Sequence, residues 1–143
     1  MFPIQTQKTK TTQSKPTRPP DIVIGDSDFA TLTALAESAG GPLADAADQL
    51  LTELDRALRV PDHALPEDRV RLYDWIAFQT GDGAARRVQL VRPEDADIAE
   101  GRVSVLTPVG AALIGLAPGK PIAFATPGGG LQTLTVLTTA RGE

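Results

Sequence analysis

The stretch LADAADQLLTELDRALR, residues 43–59, decides the first half of the fold. Its apolar residues recur every three or four positions and form one stripe along a predicted helix, while acidic and amide residues occupy the opposite side. The apolar positions are Leu43, Ala46, Ala47, Leu50, Leu51, Leu54, Ala57 and Leu58. Because a stripe this wide must be covered, the pattern predicts a second apolar surface close by.

A partner helix is predicted directly upstream, over residues 28–38, where apolar residues again recur at helical spacing. The connector between the two helices contains Gly40, Gly41 and Pro42, which end the first helix and let the chain reverse. Two amphipathic helices with so short a connector form an antiparallel hairpin, in which each helix covers the stripe of the other. We therefore expect a short coiled-coil hairpin over residues 21–60, with Gly40, Gly41 and Pro42 at its tip.

Downstream of the hairpin the apolar period changes from that of a helix to that of a strand. Residues 61–68 contain two prolines and are predicted to be a linker. Over residues 69–143, short alternating runs separated by glycine-rich turns predict antiparallel strands, and Pro108 can open a helix of one to two turns. The expected fold class is α+β, a helical hairpin followed by a β-rich domain with one short helix.

Charge is distributed unevenly along the chain. Residues 1–20 carry four basic residues and no acidic one, and their Thr, Gln, Lys and Pro content predicts a disordered basic tail. The rest of the chain is strongly acidic, and so is the predicted hairpin, which argues against direct contact with nucleic acid. No apolar run could cross a membrane or serve as a leader, so a cytoplasmic location without membrane contact is expected.

Few residues in the chain could carry out catalysis or hold a cofactor. The absence of cysteine excludes thiolate chemistry, and His63, the single histidine, lies between prolines in the predicted linker. Gly110 and Gly115 have the spacing of a phosphate-binding loop, but Leu116 and Ala117 stand where that loop needs lysine and a hydroxyl residue. We expect no catalytic site, no metal and no cofactor, which favours a binding protein over an enzyme.

The second half of the chain contains a motif of a known family. The segment SVLTPVGAALIGL, residues 104–116, is followed by Gly119 and by TPGG at residues 126–129. These segments resemble the signature of the C-terminal domain of the Gre transcript-cleavage factors.

Further segments resemble the Rnk type of this group, the regulators of nucleoside diphosphate kinase. They are ELDRA at residues 53–57, LPEDRV at residues 65–70 and PVGAAL at residues 108–113. The resemblance covers roughly residues 21–138. It implies an N-terminal antiparallel coiled coil and a C-terminal domain like that of the FK506-binding proteins (FKBP-like).

The resemblance also implies a partner. Gre-like proteins dock their C-terminal domain on the rim of the secondary channel of RNA polymerase and insert the coiled coil. In Gre factors, acidic residues at the hairpin tip hold a magnesium ion and promote transcript cleavage. The tip of this chain has no acidic residue and its first helix is short, as in Rnk-type proteins.

The expected function is therefore non-catalytic: the protein would modulate elongation or compete with Gre factors, without transcript cleavage. The residues expected to bind the partner are Thr107, Pro108, Val109, Leu113, Pro127, Gly128 and Gly129.

Two alternatives stay open at this point. The name of the Rnk type suggests direct regulation of nucleoside diphosphate kinase, or of another protein. The same fold could also serve a peptidyl-prolyl isomerase, which needs an aromatic pocket for the proline ring. The domain offers only Tyr73, Trp75, Phe78 and Phe124 for such a pocket, and two of them should alternate into the core.

Overall fold

The computed structural model of the chain describes residues 21–126 and 130–141. The predicted basic tail, residues 1–20, and three of the expected partner-binding residues, Pro127, Gly128 and Gly129, lie outside the described residues.

The first part of the described chain is a helical hairpin. Helix α1 (Asp26–Ser38) packs against helix α2 (Ala44–Arg56), and a single 3-10 turn (Gly41–Leu43) connects them. Leu32 of α1 and Leu50 of α2 are fully buried between the helices and the rest of the molecule. The hairpin predicted from the apolar period of the sequence is therefore present.

A short strand follows α2, where the sequence predicted more helix. Strand β2 (Leu58–Val60) pairs in parallel with strand β1 (Val23–Gly25), and Leu58 N donates to Ile22 O at 2.9 Å. The prediction that the second helix continues to Arg59 was wrong, because this pairing takes over the backbone once α2 has ended at Arg56.

The second part is a five-stranded sheet with the order β5-β4-β3-β7-β6. Its strands are β3 (Trp75–Thr80), β4 (Ala85–Val91), β5 (Arg102–Ser104), β6 (Pro121–Ala125) and β7 (Leu131–Ala140). All neighbours pair antiparallel except β4 and β5, which pair in parallel. The parallel pair arises because the chain between them crosses over through two 3-10 turns, Pro93–Asp95 and Ile98–Glu100, instead of a tight hairpin.

Helix α3 (Pro108–Leu113) lies between the sheet and the hairpin, in contact with both α2 and β6. One continuous core contains side chains of the hairpin, of α3 and of the sheet. The predicted α+β fold, a helical hairpin followed by a sheet with one short helix, is confirmed. The sheet was predicted to be antiparallel, and it is so except for the parallel pair of β4 and β5. Within the described ranges, no helix is long and apolar enough to cross a membrane.

Candidate functional site

The start of α3 is built by two adjacent residues. Thr107 Oγ1 donates to Ser104 O at 2.7 Å and accepts from Gly110 N at 3.0 Å, which satisfies an amide in the first turn. Pro108 occupies the first helical position, where its missing amide hydrogen costs nothing. The Thr107-Pro108 pair therefore fixes where α3 begins and how its first turn is oriented.

Gly110 allows α3 to touch the strand segment that precedes it. A Cβ atom at this position would lie 2.2 Å from Ser104 O and 2.8 Å from Val105 Cα, both backbone atoms that cannot move aside. Sequence reasoning considered this glycine as part of a failed phosphate-loop pattern and as part of the family motif. Its actual role is close backbone packing, and nothing in the spacing of the sequence signals it.

The residues predicted to bind a partner fall into two environments. Pro108 is exposed, whereas Thr107 and Val109 are half-buried and Val109 packs against the core. Leu113 is 0 % exposed, and it seats the helix in the core without offering surface to a partner. Strand β6 packs against α3, and Thr126 N, just past the end of this strand, donates to Gly130 O at 2.9 Å.

The hairpin tip is exposed and carries no charge. Gly40, Gly41 and Pro42 are all exposed, and no atom would lie within 4 Å of a Cβ added to either glycine. Leu43, which the periodicity assigned to the apolar stripe, is 40 % exposed because it lies in the 3-10 turn before α2 begins. The tip therefore presents apolar groups where a metal-binding tip would present carboxylates.

Behind the tip, one face of α2 is acidic. Asp45, Asp48 and Asp55 are exposed, and their spacing places them on one side of the helix. Glu53, which the sequence placed among the exposed polar residues, is buried and accepts from Arg56 Nε at 2.7 Å. Hence the acidic face is narrower than the sequence suggested, and it continues directly from the apolar tip.

A shallow cavity of about 240 Å³ opens beside β4 and β5. It is lined by Tyr73, Gln89, Val91, Asp95 and Arg102. The Tyr73 hydroxyl donates to the Asp95 carboxylate. The pKa of Tyr73 is raised, mainly by burial and secondly by this hydrogen bond. The lining is mostly polar and has a single aromatic ring.

The other three aromatic residues considered for a proline pocket lie elsewhere. Phe78 and Phe124 are buried in the core, as the alternation predicted. Trp75 is covered by the guanidinium of Arg87, whose Cζ lies 4.6 Å from the ring centroid. In residues 21–126 and 130–141, no group of His, Asp or Glu side chains is arranged to hold a metal ion.

Comparison with known proteins accounts for both halves of the chain. The family model "Transcription elongation factor, GreA/GreB, C-term" matches residues 65–141, and the model "Rnk N-terminus" matches residues 20–60. Proteins named "Regulator of nucleoside diphosphate kinase" from Escherichia coli (strain K12) and Shigella flexneri are each 38 % identical over 122 residues, which is 82 % of this chain and 88 % of theirs.

A solved structure, "Prokaryotic transcription elongation factor GreA/GreB from Nitrosomonas europaea", is similar over 85 % of this chain and 98 % of its own, with 32 % identity and a TM-score of 0.66. The two family models together span the hairpin and the sheet domain. The match to the Rnk-type relatives covers 82 % of the chain. This chain therefore belongs to the Gre-like family of transcription regulators and, within it, to the Rnk type.

Proposed function

We propose that this chain binds RNA polymerase at the rim of the secondary channel and regulates transcription there without promoting transcript cleavage. The observation that carries the proposal is the hairpin tip. This chain has a Gre-type C-terminal domain, but its hairpin is short and has no carboxylate at the tip. Gly40, Gly41 and Pro42 can fill the entrance of a channel, but they cannot hold a metal ion.

The reach of the hairpin supports this proposal. Helices α1 and α2 have 13 residues each, so each is about 20 Å long at 1.5 Å per residue. Ala36, close to the distal end of α1, still belongs to the core that the hairpin shares with the sheet. An arm of this length has little reach beyond the sheet domain.

The charge of the hairpin favours a basic partner surface. From Asp26 to Asp55 the chain contains no lysine or arginine, and the exposed Asp45 and Asp48 lie directly behind the tip. A basic channel entrance would attract this face over a distance, and added salt would weaken the attraction. The first turn of α3, with Pro108 outermost, is the surface proposed to contact the rim.

The proposal is tested by co-purifying the tagged chain with RNA polymerase at low and high salt, with a Gre factor as competitor. We expect salt-sensitive binding that the Gre factor displaces. In a cleavage assay on backtracked complexes, the chain alone should be inactive and should inhibit Gre-dependent cleavage. Binding that the Gre factor leaves unchanged, or cleavage by the chain itself, would contradict the proposal.

A matched pair of variants locates the contact on α3. Pro108→Glu changes the exposed first residue of this helix and should weaken co-purification, since it places a bulky charge at the proposed contact. Pro93→Glu makes the same change at the first position of a 3-10 turn in the same domain and should leave binding unchanged.

Direct regulation of nucleoside diphosphate kinase is the second candidate, and the name of the 38 % identical relatives favours it. Its test uses pure components. A change in the activity of purified kinase on adding purified chain would support direct action, whereas a change only in the amount of kinase in cells would point to transcription.

A further inference from the structure

At the base of the hairpin, α1 meets the sheet domain in a group of charged side chains. This group, the junction cluster, consists of Asp28, Asp62, Arg71, Asp74 and Arg141. Asp28 Oδ2 accepts from the backbone N of Leu72 at 3.1 Å, which is a direct hydrogen bond between the hairpin and the segment leading into the sheet. The cluster thus lies where the two parts of the molecule are joined.

The other members surround this bond. The Asp74 side chain is fully buried, accepting from Arg71 N at 3.0 Å and from Arg141 Nη1 at 3.1 Å. Arg71 Nη2 donates to Leu65 O at 3.2 Å. Asp62 accepts from both the amide and the hydroxyl of Ser27, the residue before Asp28. The cluster therefore runs from the buried Asp74 and the half-buried Asp28 to the exposed Asp62 and Arg141 at its edge.

Asp28 is held there against an electrostatic penalty. Burial raises its pKa, and the negative charge of Asp62 raises it further. The Leu72 hydrogen bond and the charges of Arg71 and Arg141 lower the pKa by less than these effects raise it. Burial also raises the pKa of Asp74, despite its bonds to Arg71 and Arg141, and Asp28 adds to that rise. A neutral side chain could accept from the Leu72 amide without this penalty.

We propose that Asp28 is a positioning residue, which fixes the base of the hairpin on the sheet domain and makes this attachment depend on the charge of the junction cluster. Its hydrogen bond to Leu72 orients the first turn of α1. Its negative charge, beside Asp62 and Asp74, keeps the attachment looser than a neutral acceptor would.

The direction of the pH effect follows from burial. The closed junction takes up a proton on Asp28 more readily than an opened, hydrated one, because the closed form disfavours the charge. Lowering the pH through the raised pKa of Asp28 therefore strengthens closure, and raising the pH weakens it. The facing groups are Asp62, Asp74, Arg71 and Arg141, and a variant at position 28 alone leaves all of them in place.

The test is amide hydrogen exchange by NMR on the full chain, which measures how often α1 opens. The amides of residues 32–36 report on α1, and those of β3 serve as an internal reference. Asp28→Asn retains an acceptor of the same shape, so it should open less readily than the natural chain at pH 7, and the difference between the two should be smaller at pH 4.5. Asp28→Ala lacks the acceptor and should open about tenfold more readily than Asp28→Asn.

Asp26→Ala is the matched control. Asp26 lies two residues earlier on the same helix, is exposed, and pairs with Arg59 at 2.8 Å. We expect its α1 opening to stay within about twofold of the natural chain at both pH values, since an exposed ion pair contributes little.

Two results would overturn the inference. Equal opening of the natural chain and Asp28→Asn at both pH values would remove the role of charge, and equal opening of the Asn and Ala variants would remove the role of the hydrogen bond. The exchange measurement does not rest on the proposed function, because it is made on the chain alone. If the exchange results hold and no variant binds polymerase, only the proposed function fails.

Discussion

The hairpin tip and the first turn of α3 are both proposed to face a partner, yet their glycines have opposite surroundings. A Cβ on Gly40 would meet nothing within 4 Å, whereas a Cβ on Gly110 would lie 2.2 Å from a backbone oxygen. A side chain fits at Gly40 because the space around this residue is open. The surface on α3 is rigid because the backbone beneath it is in direct contact with the preceding strand.

The largest effect should come from Gly110→Ala. In an ordinary helix this change would be slightly stabilising, but here the methyl group would overlap Ser104 O and Val105 Cα. We expect the free energy of unfolding in urea to fall by about 4 kcal/mol or more. The control is Gly40→Ala, with a change of less than about 0.5 kcal/mol. Similar stability of the two variants would show that the contact beneath α3 yields easily.

Next in size is Leu50→Ala, which tests whether the hairpin and the sheet share one core. Leu50 is fully buried, so its truncation should lower the free energy of unfolding by about 3 kcal/mol. Helical circular dichroism and the fluorescence of Trp75, the single tryptophan, should still change together. Leu43→Ala at the exposed tip should have an effect below about 1 kcal/mol. Helix loss that precedes the fluorescence change would separate the two regions.

Removal of the cap on α3 should have a smaller effect. Thr107→Ala loses the acceptor for Gly110 N, which predicts a decrease of about 1 kcal/mol in the free energy of unfolding. Thr107→Ser keeps the oxygen and should stay close to the natural chain. Thermal or urea denaturation measures the stability of the two variants. An equal loss of stability in both would mean that the methyl group of Thr107, and not its hydroxyl, stabilises the start of α3.

The smallest effect on stability should come from the acidic face of α2. Asp45→Asn combined with Asp48→Asn should change the free energy of unfolding by less than about 0.5 kcal/mol, because both residues are exposed. Binding to polymerase should nevertheless weaken at low salt, and the difference should vanish at high salt. Glu67→Gln combined with Glu100→Gln removes the same charge from the sheet domain, and an equal loss there would show that net charge alone matters.

Local pattern explains which parts of the fold were predictable. The stripe of α2 repeats over several turns, and the alternation of Ile76 and Phe78 places both in the core. Strand β2 was missed because it has three residues and pairs with Val23, far away in the sequence. The parallel pairing of β4 and β5 was missed because a period of two does not encode strand direction.

The candidate site was also predictable only in part. The resemblance identified the first turn of α3, but only packing shows that Leu113 is core and Pro108 is surface. The junction residues Asp28 and Asp74 could not have been singled out, because an aspartate in a sequence is assumed to be solvated and its burial depends on distant segments. Glu53 was misjudged for the same reason.

The open space around Gly40 and Gly41 also determines where this molecule can change in length. Residues added at the base of the hairpin would break the shared core and the bond between Asp28 and Leu72. Seven residues added to each helix at the tip would lengthen the arm by about 10 Å and preserve the phase of the apolar stripe. Arms of different reach can therefore evolve, or be engineered, on an unchanged sheet domain.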